Sequence, residues 1–222
     1  MPPLWLYPII AFFCGSIPTG LLIGKAKGID IRQHGSKNIG ATNIGRVLGT
    51  KFFFLCFAID LLKGLLPVAA AGYLLGALGK FDLLPAQTAW WLGTMIAAVL
   101  GNVFNPWLKF KGGKGVATSL GVLIGVFPAL SIPGMAAFAL WGATLAIWRY
   151  ISIASLAAAA ALPIFVIAQW AVARGLGYVT DFSAGWPYVG VASLLTVLVY
   201  WTHRANIGRL RAGTEPKMGR RR

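Results

Sequence analysis

The chain alternates long apolar stretches with short polar breaks, the stretches falling at about residues 4–24, 52–76, 87–107, 115–130, 133–148, 151–173 and 187–203. Most reach or approach the roughly 20 residues that an α-helix needs to cross a hydrocarbon core. The fourth and fifth are short. Residues 115–148 taken as one helix would be about 51 Å long at 1.5 Å per residue, well beyond a crossing of about 30 Å. Pro128 and Pro133 therefore predict a turn between two short helices. The pattern predicts an all-α fold: a polytopic membrane helix bundle of seven transmembrane helices, forming one integral-membrane domain over residues 1–222.

Charge gives this bundle a direction. Seven crossings place alternate loops on opposite sides of the membrane. Seventeen of the twenty Lys and Arg residues collect on one side, at positions 25–51 and 109–114, at Arg149, and from Arg204 to Arg222. Lys80 and Arg174 fall on the other side, and Lys63 lies inside the second stretch. The positive-inside rule then puts the N-terminus outside and the C-terminus in the cytoplasm. Two crossings between Lys114 and Arg149 keep Arg149 on the basic side, in agreement with the turn at the prolines. The first positive charges, Lys25 and Lys27, follow the first stretch instead of preceding it, so that stretch is expected to be retained and not cleaved as a signal peptide.

Composition agrees with a membrane protein lacking a sizeable soluble domain. Of 222 residues 58% are hydrophobic and only 11% charged, with mean hydropathy +0.74, against roughly 25% charged in an ordinary soluble domain. The net charge of +15 is not read as a nucleic-acid footprint. Its residues sit in short loops between apolar stretches, where orientation signals and anionic headgroups account for them. Cys14 and Cys56 both fall inside apolar stretches and indicate neither a disulfide nor a metal site.

Three polar segments, all on the basic side, combine glycine with positive charge. Residues 35–46 read G-S-K-N-I-G-A-T-N-I-G-R. Gly35 and Gly40 allow close backbone approach, consecutive amides can form an anion nest, and Ser36, Asn38, Thr42 and Asn43 add neutral donors. Arg46 can clamp an oxyanion in bidentate fashion. A flexible polar connector is the plain alternative. Residues 109–118, K-F-K-G-G-K-G-V-A-T, lack both P-loop spacing and a preceding strand, which argues against a nucleotide site. Gly112, Gly113 and Lys114 at the mouth of a helix still suit a small phosphate. In the third segment, residues 203–217, His203 and Asn206 lie one turn apart if the last helix continues, able to reach a common ligand. The terminal arginines, Arg220, Arg221 and Arg222, read as a tail attracted to headgroups.

Asp60 and Lys63 stand three apart in the second stretch, as a structural ion pair or as a functional site. Ser152 and Ser155 follow Arg149, where capping of a helix is the default expectation and substrate binding the alternative. The only acids are Asp30, Asp60, Asp82, Asp181 and Glu215, too few for a multi-carboxylate magnesium site. No metal and no cofactor are expected. Neither His34 nor His203 begins the His-x4-Asp motif of the soluble acyl-CoA acyltransferases.

In order along the chain, G-S-I-P-T-G (15–20), the 35–46 segment, D-L-L-K-G (60–64), F-K-G-G-K-G-V-A-T (110–118), R-Y-I-S-I-A-S (149–155) and H-R-A-N-I-G-R-L (203–210) resemble the bacterial acyl-phosphate:glycerol-3-phosphate acyltransferases. That family is described as seven-span, with three functional cytoplasmic loops and a fatty acyl-phosphate as donor. The resemblance implies that Ser36, Asn38, Gly40, Thr42, Asn43 and Arg46 line a phosphate-holding loop. Gly112, Gly113 and Lys114 would hold the phosphate of glycerol 3-phosphate, and Ser152, His203, Asn206 and Glu215 would complete the site. The chain departs from the family at Asn102, where Gly-His is frequent and here reads Gly-Asn, and at Lys37, where a small residue is frequent.

The implied reaction is attack of the C1 hydroxyl of glycerol 3-phosphate on the acyl carbonyl, with lysophosphatidic acid and inorganic phosphate as products. His203 or a substrate phosphate oxygen would act as base. Implied partners are the two small-molecule substrates and membrane lipid, without nucleic acid. One bundle can contain the whole site, so a monomer suffices. The rival class is a membrane carrier for a small organophosphate or anion, but carriers place their sites near the midplane in related repeats, and no internal repeat stands out here.

Overall fold

Ten α-helices and three short 3₁₀ turns account for most of the described residues of this computed structural model, residues 3–179 and 181–219, and no strand occurs among them. The expected arginine tail, Arg220 to Arg222, lies outside the described residues. The first apolar stretch is not one helix, as the pattern predicted, but two: α1 (Leu6–Gly15) and α2 (Thr19–Ala26). Pro18 is the reason. It has no N–H to continue α1, and its fixed φ suits the start of a new helix. An unpredicted helix, α3 (Ala41–Leu48), then precedes α4 (Thr50–Leu74), with Gly49 at φ +99° turning the chain between them.

Next come α5 (Pro85–Val103), α6 (Val116–Gly125) and α7 (Ser131–Trp148), then α8 (Ile151–Gly175), α9 (Trp186–Thr202) and α10 (Arg204–Arg211). The predicted turn is present at residues 126–130 between α6 and α7. Pro133 lies not in that turn but in the first turn of α7, where its missing N–H has no intrahelical partner to lose. Five stretches are long and apolar enough to cross a membrane: Leu6–Ala26 taken through its break, Thr50–Leu74, Ser131–Trp148, Ile151–Gly175 and Ser183–Thr202. The ten residues of α6 are apolar but shorter. The 19 residues of α5 carry Gln87, Thr88, Thr94 and Asn102 and are not among the five.

The chain forms two compact units, one of Met1–Leu78 with Pro85–Val126, the other of Gly79–Leu84 with Phe127–Arg222. In the first, α4 packs on α6 and α3, and α1 packs on α5. Contact is close enough that a Cβ on Gly121 would overlap the Leu61 carbonyl oxygen, and one on Gly101 that of Phe12. Small residues at such crossings let helices gain dispersion contacts where lipid offers no hydrophobic drive. A separate apolar cluster, including Leu21, Ile31, Ile39, Ile44, Cys56 and Leu108, sits beneath both glycine-rich loops of this unit. Asp60 and Lys63 do pair along α4, at 2.7 Å. In the second unit α8 packs between α7 and α9. Thr196 donates to the Ala159 carbonyl at 2.6 Å, and Trp170 meets Phe81 edge to face and Tyr188 at a tilt.

Candidate functional site

Asn43 organises the first loop from within. Its side chain is buried, 1% exposed, in the first turn of α3. Its Nδ2 group donates to the carbonyls of Asn38 (2.8 Å), His34 (3.0 Å) and Ile31 (3.4 Å), while Oδ1 accepts from the Ser36 N–H at 2.8 Å. The loop therefore wraps around one amide, and the donors of Asn43 serve the protein itself. Gly35 is needed beside it: φ is +59°, and a Cβ would overlap Asn43 Oδ1. Asn38 Oδ1 accepts from the Gly40 N–H at 2.8 Å, setting the turn that leads into α3. Gly40 is the N-cap and has no side chain to fill the helix mouth. The Ala41 and Thr42 N–H groups donate to nothing among the described residues, so α3 opens on two unused amides and the positive end of its dipole. Ser36 is exposed just before this mouth, Thr42 within its first turn is half-buried, and Arg46 is exposed in the last turn of α3.

Lys37 occupies the left-handed region at φ +60°. A residue without Cβ is unstrained there, which is the physical counterpart of the small residue expected at this position. Lys37 instead bears a cost of roughly 1–2 kcal/mol and adds an exposed cation to the loop.

The second loop is fastened to the C-terminal end of α5. The Gly112 N–H donates to the Val103 carbonyl at 3.0 Å and the Gly113 N–H to that of Asn102 at 3.1 Å. These amides thus satisfy the orphan carbonyls of α5. Both N–H groups are thereby engaged by the protein's own backbone. Gly112 is required by the approach itself, because a Cβ would overlap the Asn102 carbonyl oxygen. Gly115, at φ +78°, caps α6 in the left-handed region. What this rigid seat presents is the half-buried Lys114 at the start of α6. The Asn102 side chain, buried at 5% exposure, lies directly under Gly113. Asn105 accepts from the Trp107 N–H at 3.0 Å and also donates to the Ser16 carbonyl, tying the loop to the break between α1 and α2.

The second unit carries the remaining candidates. The chain breaks helical regularity at His203, the residue shared by the end of α9 and the start of α10, yet Ile207 N–H still donates to the His203 carbonyl at 2.9 Å. His203 and Asn206 are both buried, at 2% and 7% exposure. His203 Nδ1 lies 2.8 Å from the Val199 carbonyl. A carbonyl only accepts, so Nδ1 carries the proton, and in the neutral ring Nε2 holds the lone pair. Asn206 Nδ2 donates to Glu215 Oε1 at 2.6 Å, and Arg209 Nε to Oε2 at 2.7 Å. Burial pushes the Glu215 carboxyl up, but those two donors and the neighbouring Ser152 hydroxyl outweigh it and hold the carboxyl below its usual range. Ser152 is buried, with its hydroxyl beside the Glu215 carboxylate. Neither serine caps α8: Ser155 donates to the Ile151 carbonyl at 2.9 Å and accepts from Trp141 Nε1 at 3.2 Å. The segment after α10 is further fixed by Met218 N–H on the Arg149 carbonyl (2.7 Å) and by Lys217 over the Tyr150 ring.

Residues 35–46 and 109–116 thus lie in one unit and Ser152, His203, Asn206 and Glu215 in the other, where Ser152 and Asn206 meet at Glu215. Sequence reasoning missed Arg209 as the second partner of Glu215; its only signal was a cation six residues before the one acid of the C-terminal segment. It also missed Asn105, whose position before a proline marked only a turn.

Comparison with known proteins agrees with this chemistry. The sequence model of a family described as glycerol-3-phosphate acyltransferase matches residues 5–213. A glycerol-3-phosphate acyltransferase of Geotalea daltonii is 46% identical over 205 residues, 92% of each chain. One from Thermosynechococcus vestitus is 39% identical over 222 residues, covering 97% of this chain and 95% of its own. Among solved structures, the glycerol 3-phosphate form of PlsY (YgiH), an integral membrane glycerol 3-phosphate acyltransferase, superposes with a TM-score of 0.78 at 33% identity, over 97% of this chain and 96% of that chain. The lysophosphatidic acid form of PlsY gives 0.76 at the same identity.

Proposed function

Because this chain belongs to the glycerol-3-phosphate acyltransferase family, we propose that it transfers a fatty acyl group from an acyl-phosphate to the C1 hydroxyl of glycerol 3-phosphate. The observation that carries the reading is the pair of loops built on one apolar cluster, one opening on the unused amides of α3, the helix that also carries Arg46, the other presenting Lys114. These are two anion grips in a single unit, and the reaction has two anionic reactants.

The hydroxyl oxygen attacks the acyl carbon, an ester bond forms, and the mixed-anhydride C–O bond breaks. Inorganic phosphate leaves and lysophosphatidic acid remains. Such a leaving group needs little activation, so the protein's task is alignment and stabilisation of negative charge. Alignment supplies about 7–11 kcal/mol in well-oriented cases, and each donor to the developing oxyanion about 3 kcal/mol. Ser36, Thr42, Arg46 and the α3 amides hold the acyl-phosphate. Lys114 and the start of α6 hold the phosphate of glycerol 3-phosphate. Gly35, Asn38, Gly40, Asn43, Gly112 and Gly113 shape these grips. Ser152, His203, Asn206 and Glu215 are assigned to the same reaction by their match to the family's motifs.

The base is a substrate phosphate oxygen. Asp30 is held by Arg32, Asp60 by Lys63, and Glu215 by Asn206 and Arg209, which leaves few carboxylates to act. His203→Gln keeps a polar side chain but no basic nitrogen. It is expected to retain turnover to within about tenfold, whereas loss of a general base costs about 10²–10⁴-fold. A fall in kcat of that larger size assigns the base to His203.

The protein in this reading crosses a bacterial inner membrane seven times, with α5 and α6 included, the N-terminus outside and the grips at the cytoplasmic surface. One copy suffices. Purified protein in lipid nanodiscs, given acyl-phosphate and glycerol 3-phosphate, is expected to release phosphate and lysophosphatidic acid in equal amounts. Equal or better turnover with acyl-CoA as donor would overturn the assignment.

A further inference from the structure

Ionisable side chains inside a membrane span are costly, so each needs a reason and a partner. Lys63, whose side chain is 4% exposed, has two. Its ammonium lies 2.7 Å from Asp60 Oδ1 and donates to the Ile17 carbonyl at 2.8 Å. Ile17 belongs to the break between α1 and α2, where helical hydrogen bonding is interrupted and backbone groups must find partners elsewhere. Those partners come from distant elements: Lys63 holds the Ile17 carbonyl, Asn105 holds the Ser16 carbonyl, and Trp107 Nε1 donates to Ser16 Oγ at 3.0 Å.

The break leads directly to the first loop. In α2, Gly20 lies so close to the loop that a Cβ would overlap the Ile39 carbonyl oxygen, and Ile39 precedes the N-cap of α3. One turn before Asp60, Cys56 is fully buried in the cluster that contains Ile39 and Ile44, and its thiol lies 3.8 Å from Asp60 Oδ2. A continuous path of packed and hydrogen-bonded groups therefore runs from the charged pair through Ile17 and α2 to the mouth of α3.

We infer that Asp60 and Lys63 are positioning residues for the loop at 35–46, acting through the Ile17 carbonyl and α2. The inference rests on the reading of that loop as a grip for the acyl-phosphate. Asp60 holds the ammonium on the Ile17 carbonyl, Lys63 fixes the break, and the break fixes the register of α2 against Ile39.

The test uses the full chain in nanodiscs. The double substitution Asp60→Asn with Lys63→Met removes the donor without stranding a charge. Hydrogen exchange of amides 35–46 is expected to rise about fivefold or more while that of α8 stays unchanged. The KM for acyl-phosphate is expected to rise about tenfold with kcat within about threefold. Lys63→Arg, which keeps a donor, should restore most of both. Gly20→Ala leaves the charges in place and should give the same local signature by displacing Ile39. Unchanged exchange at 35–46 in either variant, a uniform rise through both units, or no recovery with arginine would overturn the inference. If the unsubstituted protein accepts no acyl-phosphate, the functional reading fails, and the exchange measurement still decides the positioning role.

Discussion

Asn43→Asp is expected to reduce acyl transfer by about 10³-fold or more, although it changes the side-chain volume almost not at all. The carboxylate can still accept from the Ser36 N–H, as Oδ1 does now at 2.8 Å. The opposite end is the difficulty. The Nδ2 group feeds the carbonyls of Asn38, His34 and Ile31, and a carboxylate oxygen there would face three acceptors in a site that is 1% exposed. Leaving one buried polar group unmade costs about 1–3 kcal/mol, more when it is charged. Three such groups exceed what an eight-residue helix and its loop can absorb locally. The loop must open, and the Ala41 and Thr42 amides lose their common direction. Asn43→Ala removes the same donors without adding charge and is expected to be less damaging. Steady-state rates with purified variants of equal thermal stability check the order. Aspartate tolerated as well as alanine would mean that the loop is held by something other than this amide.

That prediction depends on a feature the sequence did not disclose. Long apolar helices were legible because nothing but a buried or lipid-facing helix explains 20 or so apolar residues in a row. The predicted stretch at 151–173 is observed as Ile151–Gly175 and that at 187–203 as Trp186–Thr202. The break at Pro18 was misread, because hydropathy stays high through Gly15, Ser16 and Ile17 and does not register where a helix axis changes direction. Helix α3 was read as loop, because three glycines between positions 35 and 45 lower intrinsic helicity and only packing of Ala41 and Ile44 into the apolar cluster restores it.

The candidate residues were legible as types and not as roles. Glycines, amides and cations in three loops point to an anion whatever their orientation. Composition cannot say which way an amide faces: Asn43 turns inward to its own loop, and the Gly112 and Gly113 N–H groups turn back onto α5. Glu215 was a candidate for completing the site, and its pairing with Asn206 and Arg209 depends on a reversal of the chain after α10 that no periodicity encodes. In the proposed reading the direct ligand chemistry is narrower than the motif list: in the first unit it is the mouth of α3 with Ser36 and Thr42, the guanidinium of Arg46 from the last turn of that helix, and the ammonium of Lys114.

Lys114→Ala is the sharpest test of that narrowing. Because Gly112 and Gly113 have committed their amides to the Val103 and Asn102 carbonyls, the second loop offers the phosphate of glycerol 3-phosphate chiefly one strong donor, held on the end of α5 and at the start of α6. A hydrogen bond to a charged group contributes about 1.5–3 kcal/mol, and every 1.4 kcal/mol is a factor of ten. The KM for glycerol 3-phosphate is therefore expected to rise about 10–100-fold. An interaction present equally before and during acyl transfer changes KM and leaves kcat nearly constant. The phosphate is remote from the C1 hydroxyl that reacts, so kcat is expected to stay within about threefold and the KM for acyl-phosphate to change little. Lys114→Arg should recover part of the loss, since it restores the charge but places a planar fork where a compact ammonium fitted between glycines. Initial rates with each substrate varied in turn separate the outcomes. A rise confined to the acyl-phosphate KM would exchange the two grips, and an unchanged KM for both would remove Lys114 from the site.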